Sequence, residues 1–317
     1  MENDTSPFYF TLTLFKDLGL YRYLFFIICF LLYALMLSLN IMIIVIVLLE
    51  RTLHEPMYVF ISCLSINSLY GSTGLFPRLM VDLLSDTHLI SHPVCFTQIY
   101  VVYTYASYEL IILGIMAYDR YVAKCKPLHY NSIMNSKTVV LLVGLGWVYP
   151  ICSIGSLLYL LGIVRLPLCG NEIARVFCVN WPVVQLSCVD TTQNNAAGLL
   201  VTITTVFLPL GFVLYTYFRI IIVCKKSSNE YRGKALKTCL PHIVTFVIYS
   251  IALFCEVSLS RYKHDELNPV VTVILSLEFL IIPPILNPLV YGLNLPQIRG
   301  MILRLLQTPR IVACMLR

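Results

Sequence analysis

Charged side chains are scarce in this sequence. Only 12% of its 317 residues are Asp, Glu, Lys or Arg, whereas soluble domains carry about 25%. Hydrophobic residues make up 59% of the chain, and the mean hydropathy is +0.83. This balance excludes an ordinary water-soluble domain and indicates a chain that is surrounded by lipid.

The sequence also lacks the alternation of polar and apolar residues, over about ten residues, that is typical of membrane β-barrel strands. Its apolar residues instead form seven blocks, each near the length of about 20 residues that a helix needs to cross the hydrocarbon core. The blocks cover residues 24–49, 57–80, 95–118, 138–161, 196–224, 240–259 and 270–292. Because helices satisfy their backbone groups internally, the sequence predicts an all-α membrane protein, a seven-helix bundle. No internal repeat or separate soluble segment is found, so residues 1–317 are expected to form a single domain.

The first 23 residues lack the pattern of a cleaved signal peptide, so the first block is expected to be its own insertion signal. Fifteen of the 22 basic residues fall in cytoplasmic segments if the N-terminus is outside. The positive-inside rule therefore predicts an extracellular N-terminus and a cytoplasmic C-terminus. The net charge of +6 is then a consequence of topology and does not indicate a nucleic-acid partner. The sequon at Asn3 would lie outside, where it can be glycosylated.

Beyond the last block, residues 295–306 alternate apolar and basic residues at helical spacing. This pattern predicts an amphipathic helix that lies on the inner membrane surface. Prolines fall inside the blocks and either kink their helices or are merely tolerated there. Among them are Pro150, Pro209, Pro241, Pro283 and Pro288.

Four of the 12 cysteines lie toward the outer face, where disulfides persist. They are Cys95, Cys169, Cys178 and Cys188. Four cysteines allow three pairings, and spacing alone does not choose among these or exclude free thiols.

Three acidic residues fall within the apolar blocks, where a carboxylate is costly unless it has a partner. Glu109, near the middle of the third block, is compatible with an ion site, a proton-sensitive switch or a neutral hydrogen-bonded acid. Glu256 lies close enough to the outer end of its block to reach water, and Glu278 is deeper. At the inner end of the third block, Arg120 beside Asp119 either forms an ion pair that a partner exchanges or extends its side chain to the membrane surface.

Several stretches of this sequence resemble the odorant receptors, a family of rhodopsin-like G-protein-coupled receptors. The run MAYDRYVAKCKPLHY at residues 116–130 is similar to the family signature at the end of the third span. LHEPMY at 53–58, KALKTC at 234–239 followed by His242, and NPLVY at 287–291 match further signatures in order and spacing. The three cysteines of the long outer loop match as well.

The resemblance implies disulfides Cys95–Cys178 and Cys169–Cys188. It also implies that Arg120 is held by Asp119 in the inactive state and binds the G protein when released, as Tyr217 and Tyr291 move toward it. The implied coupling residues are Asp119, Arg120, Tyr121, Tyr217, His242, Asn287, Pro288 and Tyr291.

The sequence departs from the family pattern at Ser68, where most members carry an aspartate of the sodium site. Glu109 could replace that anion, with Asn40, Ser68 and Asn287 as neutral neighbours, so a sodium ion near these residues is a hypothesis. Further departures at Leu39 and Ser250 favour a divergent branch, such as the fish-type receptors.

Alignment with the family implies a ligand cavity in the outer half of the bundle. Its residues would be Tyr103, Ser107, Thr202, Thr205, Phe254, Val257 and Leu277. This mostly apolar set, with a few hydroxyls, suits a small uncharged molecule. A cationic or amino-acid odorant becomes an alternative if Glu256 or Glu278 points inward.

The predicted function is therefore that of a plasma-membrane odorant receptor. It would bind a small-molecule odorant, without any cofactor, and activate a stimulatory olfactory G protein to raise cyclic AMP. A receptor for an endogenous metabolite in another tissue is an alternative, as is, more weakly, a transporter or channel. No HExxH, paired CxxC or GxSxG motif indicates an enzyme.

Overall fold

The protein is described from a computed structural model, which covers residues 9–159, 164, 166–225, 229–261 and 268–307. Asn3 lies outside the described residues. Seven helical spans of the described part are long and apolar enough to cross a membrane, as the sequence predicts. The spans are α1 (Tyr21–Leu49), α2 (Pro56–Leu84), α3 (His92–Cys125), α5 (Ser136–Tyr159), α7 with α8 (Thr192–Thr202 and Leu208–Lys225), α9 (Asn229–Arg261) and α10 (Pro269–Asn294). Shorter helices are α4 (Tyr130–Ile133), α6 (Asn180–Val184) and α11 (Pro296–Gln307).

The helices extend past most of the predicted block ends. The third block was predicted at 95–118, but α3 runs from His92 to Cys125. Hydropathy marks only the part of a helix inside the hydrocarbon, and helical backbone continues into the polar interface. The extra turns of α3 carry Asp119, Arg120 and Tyr121 past the end of the predicted block.

Helix α3 lies at the centre of the bundle. In its most apolar 18-residue window 72% of the residues are buried, compared with 11% in the fifth span. Helix α2 approaches it closely at Gly71, where an added Cβ would meet the Tyr105 ring at 2.4 Å. A small residue at this contact allows the two backbones to come together, as is typical of membrane helix packing.

The fifth span is interrupted by a π-helical turn at Ile203–Phe207. Pro209 lies two residues after this turn and has no N–H to donate to the preceding turn. A π turn inserts one residue into the helix without breaking it. Of the two alternatives for Pro209, the structure shows a local widening of the helix, and Thr205, whose side chain is buried, lies within the wide turn.

A small three-stranded sheet at the outer face was not predicted. Strand β1 (Tyr9–Leu12) lies between β2 (Leu89–Ser91), which is antiparallel to it, and β3 (Glu172–Ile173), which is parallel. Disulfides Cys95–Cys178 and Cys169–Cys188 hold the adjoining outer loop, in the pairing that the resemblance implied. The sheet and disulfides fix this loop above the outer end of α3.

Helix α11 follows α10 after a bend at Leu295, which has extended backbone. Its Ile298 is buried, and Gly292 at the end of α10 lies near both Ile302 and Ile43. The Tyr58 hydroxyl also donates to the Gln297 side chain. The helix is therefore attached to the inner end of the bundle, within one residue of the predicted range.

Candidate functional site

The outer half of the bundle contains a cavity between α3, α5, α6, the fifth span and α9. The volume of this cavity is about 70 Å³. Its walls are Tyr103, Ala106, Ser107, Leu110, Ile154, Leu157, Asn180, Trp181, Gly198, Val201, Thr202, Thr205, Val206, Leu253, Val257, Ser260 and Arg261. The cavity is mostly apolar, with hydroxyl groups from three helices.

Five of the seven residues predicted for the ligand cavity line it: Tyr103, Ser107, Thr202, Thr205 and Val257. The prediction for Phe254 was wrong, because its side chain is 65% exposed on the outer surface of the bundle. Leu253 and Val257 lie one turn apart on the cavity face, and Phe254 is rotated about 100° from Leu253. Leu277 is buried but lies outside the described cavity walls.

The sequence interpretation missed the contribution of the outer loop to this cavity. Trp181, in the short helix α6, forms part of the wall, and the Arg261 guanidinium lies 4.8 Å from its ring centroid. Arg261 also donates to the Asn195 side chain at 2.9 Å. A tryptophan between two outer cysteines was the available signal, since such a residue needs an apolar site for its ring.

A smaller lobe adjoins the main cavity and shares Tyr103 and Val257 with it. The volume of this lobe is about 30 Å³. Phe177 and Phe279 form aromatic walls, and Glu256 contributes a carboxylate. Glu256 is buried, so the expectation that it reaches water was wrong. Glu278 is half-buried and lies outside the described cavity walls.

Arg175 of the outer loop contacts Glu256, is completely buried, and is not among the described walls of either cavity. Its Nη1 donates to Ser276 Oγ at 2.8 Å and lies 3.5 Å from Glu256 Oε2. Burial lowers the pKa of the Arg175 guanidinium, and the nearby Glu256 carboxylate opposes this effect. Through Glu256 and Ser276, Arg175 joins the outer loop to α9 and α10. Sequence spacing alone gave no signal for these contacts.

A polar cluster lies at the centre of the bundle around Glu109, which is fully buried. Asn67 donates to Glu109 Oε2 at 2.7 Å, and Asn287 donates to Oε1 at 2.6 Å. Asn287 was among the predicted neighbours, and Asn67 was missed. Asn40 donates instead to the carbonyls of Met36 and Pro284, at 2.8 Å each.

Three buried oxygens on α1 and α2 have no hydrogen-bond partner among the described residues: Asn40 Oδ1, Asn67 Oδ1 and Ser68 Oγ. Oxygen ligands and one carboxylate are the groups that a hard cation prefers. These are the donor types that a sodium ion would take, so a sodium ion held by Glu109 and these oxygens stays a prediction.

The inner end of α3 differs from the expected arrangement of Asp119 and Arg120. Asp119 accepts a hydrogen bond from the Tyr130 hydroxyl at 2.8 Å, and no ion pair within 4.0 Å joins it to Arg120 in the described structure. Arg120 Nε is buried and has no described hydrogen-bond partner. Burial next to the Asp119 carboxylate raises the pKa of Tyr130, so Tyr130 remains a neutral donor. The predicted ion pair is thus replaced by the tyrosine contact.

Other predicted coupling residues meet in the inner half of the bundle. The hydroxyl of Tyr217 on α8 lies 2.5 Å from Nδ1 of His242 on α9. The hydroxyl of Tyr291 on α10 lies 3.4 Å from Thr245 Oγ1 on α9. Tyr121 is half-buried near the inner end of α3, and Pro288 lies inside α10. Helix α9 therefore contacts both tyrosines that were expected to move.

The family model described as "Olfactory receptor" matches residues 28–308 of this chain. The chain belongs to the olfactory receptor family. The receptor is 34% identical over 281 residues to human olfactory receptor 10J1, a match covering 86% of this chain and 84% of the relative. It is also 34% identical to mouse olfactory receptor 1M1, with 82% of each chain covered.

Squid rhodopsin has a similar structure to this receptor, with a TM-score of 0.74 and 15% sequence identity. The match covers 92% of this chain and 87% of squid rhodopsin. At that identity the likeness establishes the fold alone. Family and fold together identify a multi-pass G-protein-coupled receptor and exclude the enzyme, transporter and channel alternatives.

Proposed function

We propose that this protein is an odorant receptor of the plasma membrane, with its N-terminus outside and its C-terminus in the cytoplasm. It binds a small molecule in the outer cavity and activates a stimulatory olfactory G protein, which raises cyclic AMP. The observation that best supports this proposal is that α9 provides a wall of the cavity and also contacts Tyr217 and Tyr291. A ligand at Leu253 and Val257 therefore acts on the same helix as the His242 contact with Tyr217.

The ligand shifts a two-state equilibrium by binding one arrangement of α9 more tightly than the other. In the described arrangement, His242 and Thr245 of α9 hold Tyr217 and Tyr291. An outward movement of the inner end of α9 breaks these contacts and frees both tyrosines. Arg120, which has no ion-pair partner at Asp119, then receives the G protein.

The cavity chemistry favours a small ligand with an apolar body and a hydrogen-bond donor. The Thr202 hydroxyl donates to the Gly198 carbonyl at 2.9 Å, and Thr205 donates to the Val201 carbonyl at 2.6 Å. Because each hydroxyl donates its proton to a carbonyl of its own helix, only its lone pairs are available to a ligand, as hydrogen-bond acceptors. Apolar walls around these groups supply the remaining binding energy by excluding water.

The first test is cyclic AMP production in cells that express the receptor with an olfactory G protein and are exposed to pooled odorants. Val257→Phe places extra ring carbons in the cavity, so we expect at least a tenfold loss of potency. Phe254→Ala is the matched control, because this neighbouring side chain faces outward, and its response should stay within about twofold of the wild type. Equal losses in the two variants would refute this location of the ligand.

Arg120→Ala separates coupling from binding in the same assay. We expect it to abolish the cyclic AMP response while the receptor still reaches the cell surface. A full response from Arg120→Ala would contradict the assigned coupling site.

We also propose that Na⁺ binds at the central cluster, where Glu109 supplies the anion. The buried oxygens of Asn40, Asn67 and Ser68 support this proposal because none has a described donor. Replacing Na⁺ with a large organic cation should lower the melting temperature of the purified receptor, and Glu109→Gln should remove that difference. An unchanged difference in Glu109→Gln would contradict this site.

A further inference from the structure

We infer that Arg175 and Glu256 form a recognition site for the ammonium and carboxylate groups of a free α-amino acid. The inference rests on the proposed function, since it specifies the ligand class that the outer cavity accepts. It depends on an unusual feature of this buried pair: three of its polar atoms have no partner among the described residues.

The first unmet requirement is that of the Arg175 guanidinium. Nη1 contacts Ser276 and Glu256, but Nε and Nη2 are buried and have no described acceptor. Nε and Nη2 form one edge of the planar guanidinium, and their N–H groups point in parallel. A carboxylate accepts from such an edge with both oxygens, in the bidentate geometry that makes arginine a selective carboxylate ligand. This buried edge of Arg175 therefore lacks an acceptor that an oxyanion would supply.

The second unmet requirement is that of the Glu256 carboxylate. Oε2 lies 3.5 Å from Arg175, at the limit of a hydrogen bond, and Oε1 is buried with no described donor. A carboxylate oxygen without a donor is costly in the membrane interior. Glu256 therefore calls for a donor, and an ammonium group supplies three.

Charge balance selects one ligand class from the two requirements. Arg175 and Glu256 are neutral as a pair, so a simple carboxylic acid would add a negative charge to a buried site, and a simple amine would add a positive one. Either addition costs desolvation that one new contact repays only in part. An α-amino acid satisfies both residues and adds no net charge, because its carboxylate and ammonium are separated by one carbon atom.

The surrounding walls suit the two ends of such a molecule. Glu256 lies on the wall of the small lobe beside Phe177 and Phe279, whose ring faces also favour a cation. Val257 and Tyr103 belong to the walls of both the lobe and the main cavity. The charged end of an amino acid is thereby placed at the pair, and an apolar side chain extends into the main cavity.

The test compares three molecules that share a side chain: L-leucine, 3-methylbutylamine, which lacks its carboxylate, and 4-methylpentanoic acid, which lacks its ammonium. Cyclic AMP is measured in receptor-expressing cells, and thermal stabilisation is measured on the purified receptor. We expect L-leucine to be at least about 100-fold more potent than either analogue, since each analogue loses charge-assisted hydrogen bonds. Equal or greater potency of either analogue would overturn the inference.

Two variants test the assigned atoms. Arg175→Lys keeps the charge but removes the paired N–H edge, so the potency of L-leucine should fall at least tenfold. Because a single change can destabilise a buried pair, the double variant Arg175→Gln with Glu256→Gln removes both charges together. It should lose stabilisation by L-leucine, whereas the control Glu278→Gln, outside the described cavity walls, should keep it. Retained stabilisation in the double variant would refute the site.

The two readouts distinguish this inference from the proposed function. A receptor that responds to uncharged odorants but is neither stabilised nor activated by L-leucine refutes the amino-acid site and leaves the odorant-receptor function intact. A receptor that L-leucine stabilises, but that produces no cyclic AMP with any ligand, supports the site and contradicts the proposed coupling.

Discussion

Removal of the Glu109 side chain tests the central cluster most directly. In Glu109→Ala, the side-chain amides of Asn67 and Asn287 lose their acceptors, which now lie at 2.7 and 2.6 Å. Each buried donor left without a partner costs about 1–3 kcal/mol, so the two together cost about 2–6 kcal/mol. Loss of the buried carboxylate offsets part of this cost, because the desolvation penalty of burying its charge is also removed.

Glu109→Gln separates these two effects. It removes the same charge but keeps an acceptor for Asn287, and its new amide can donate to Asn67 Oδ1, which has no described donor. That rearrangement sacrifices the hydrogen bond from Asn67 to the Tyr105 carbonyl, now 3.1 Å long, at about 1 kcal/mol. The alanine variant should therefore be less stable than the glutamine variant by about 1–5 kcal/mol.

The assay is thermal unfolding of the purified receptor in detergent, with the two variants measured side by side. One kcal/mol shifts the melting temperature by about 2 °C in a chain of this size, so the alanine variant should melt about 2–10 °C below the glutamine variant. Equal melting temperatures, or a less stable glutamine variant, would refute the assigned hydrogen-bond roles.

Two further predictions concern the inner end and the middle of α3. Tyr130→Phe removes the hydroxyl that occupies Asp119 and leaves this carboxylate free to pair with the adjacent arginine, so basal cyclic AMP should fall at unchanged surface expression; a rise would contradict this. Gly71→Ala would place a Cβ 2.4 Å from the Tyr105 ring and should destabilise the receptor by about 1–3 kcal/mol. Gly114→Ala, which meets nothing within 4 Å, is the control in the same unfolding assay and should be neutral or stabilising.

The positions of the seven spans could be predicted because hydropathy reports directly on contact with the membrane core. The rotation of each helix about its axis could not, since apolar side chains on a membrane helix face both the lipid and the neighbouring helices. Phe254 shows this limit: it is as hydrophobic as Leu253, yet one faces outward and the other lines the cavity. Only packing against neighbouring helices distinguishes them.

Contacts between distant segments were also beyond the sequence. Strands of two to four residues carry too little pattern to be recognised, and β1 exists through pairing with residues far along the chain. Asp119 was assigned to its sequence neighbour, although the observed donor is Tyr130, on the short helix that follows α3. Asn67 was overlooked because an uncharged amide gives no signal until its partner Glu109 is positioned.

The π turn at Ile203–Phe207 changes how the two halves of the fifth span face the bundle. An inserted residue rotates everything beyond it by about 100° relative to an uninterrupted α-helix. Gly198 and Tyr217 are 19 positions apart in the sequence, which in a regular helix would leave their directions about 100° apart. With one residue absorbed in the wide turn, the two point the same way. The side that lines the cavity and the side that carries Tyr217 thus become one continuous stripe, and deleting a single residue from this turn would separate them.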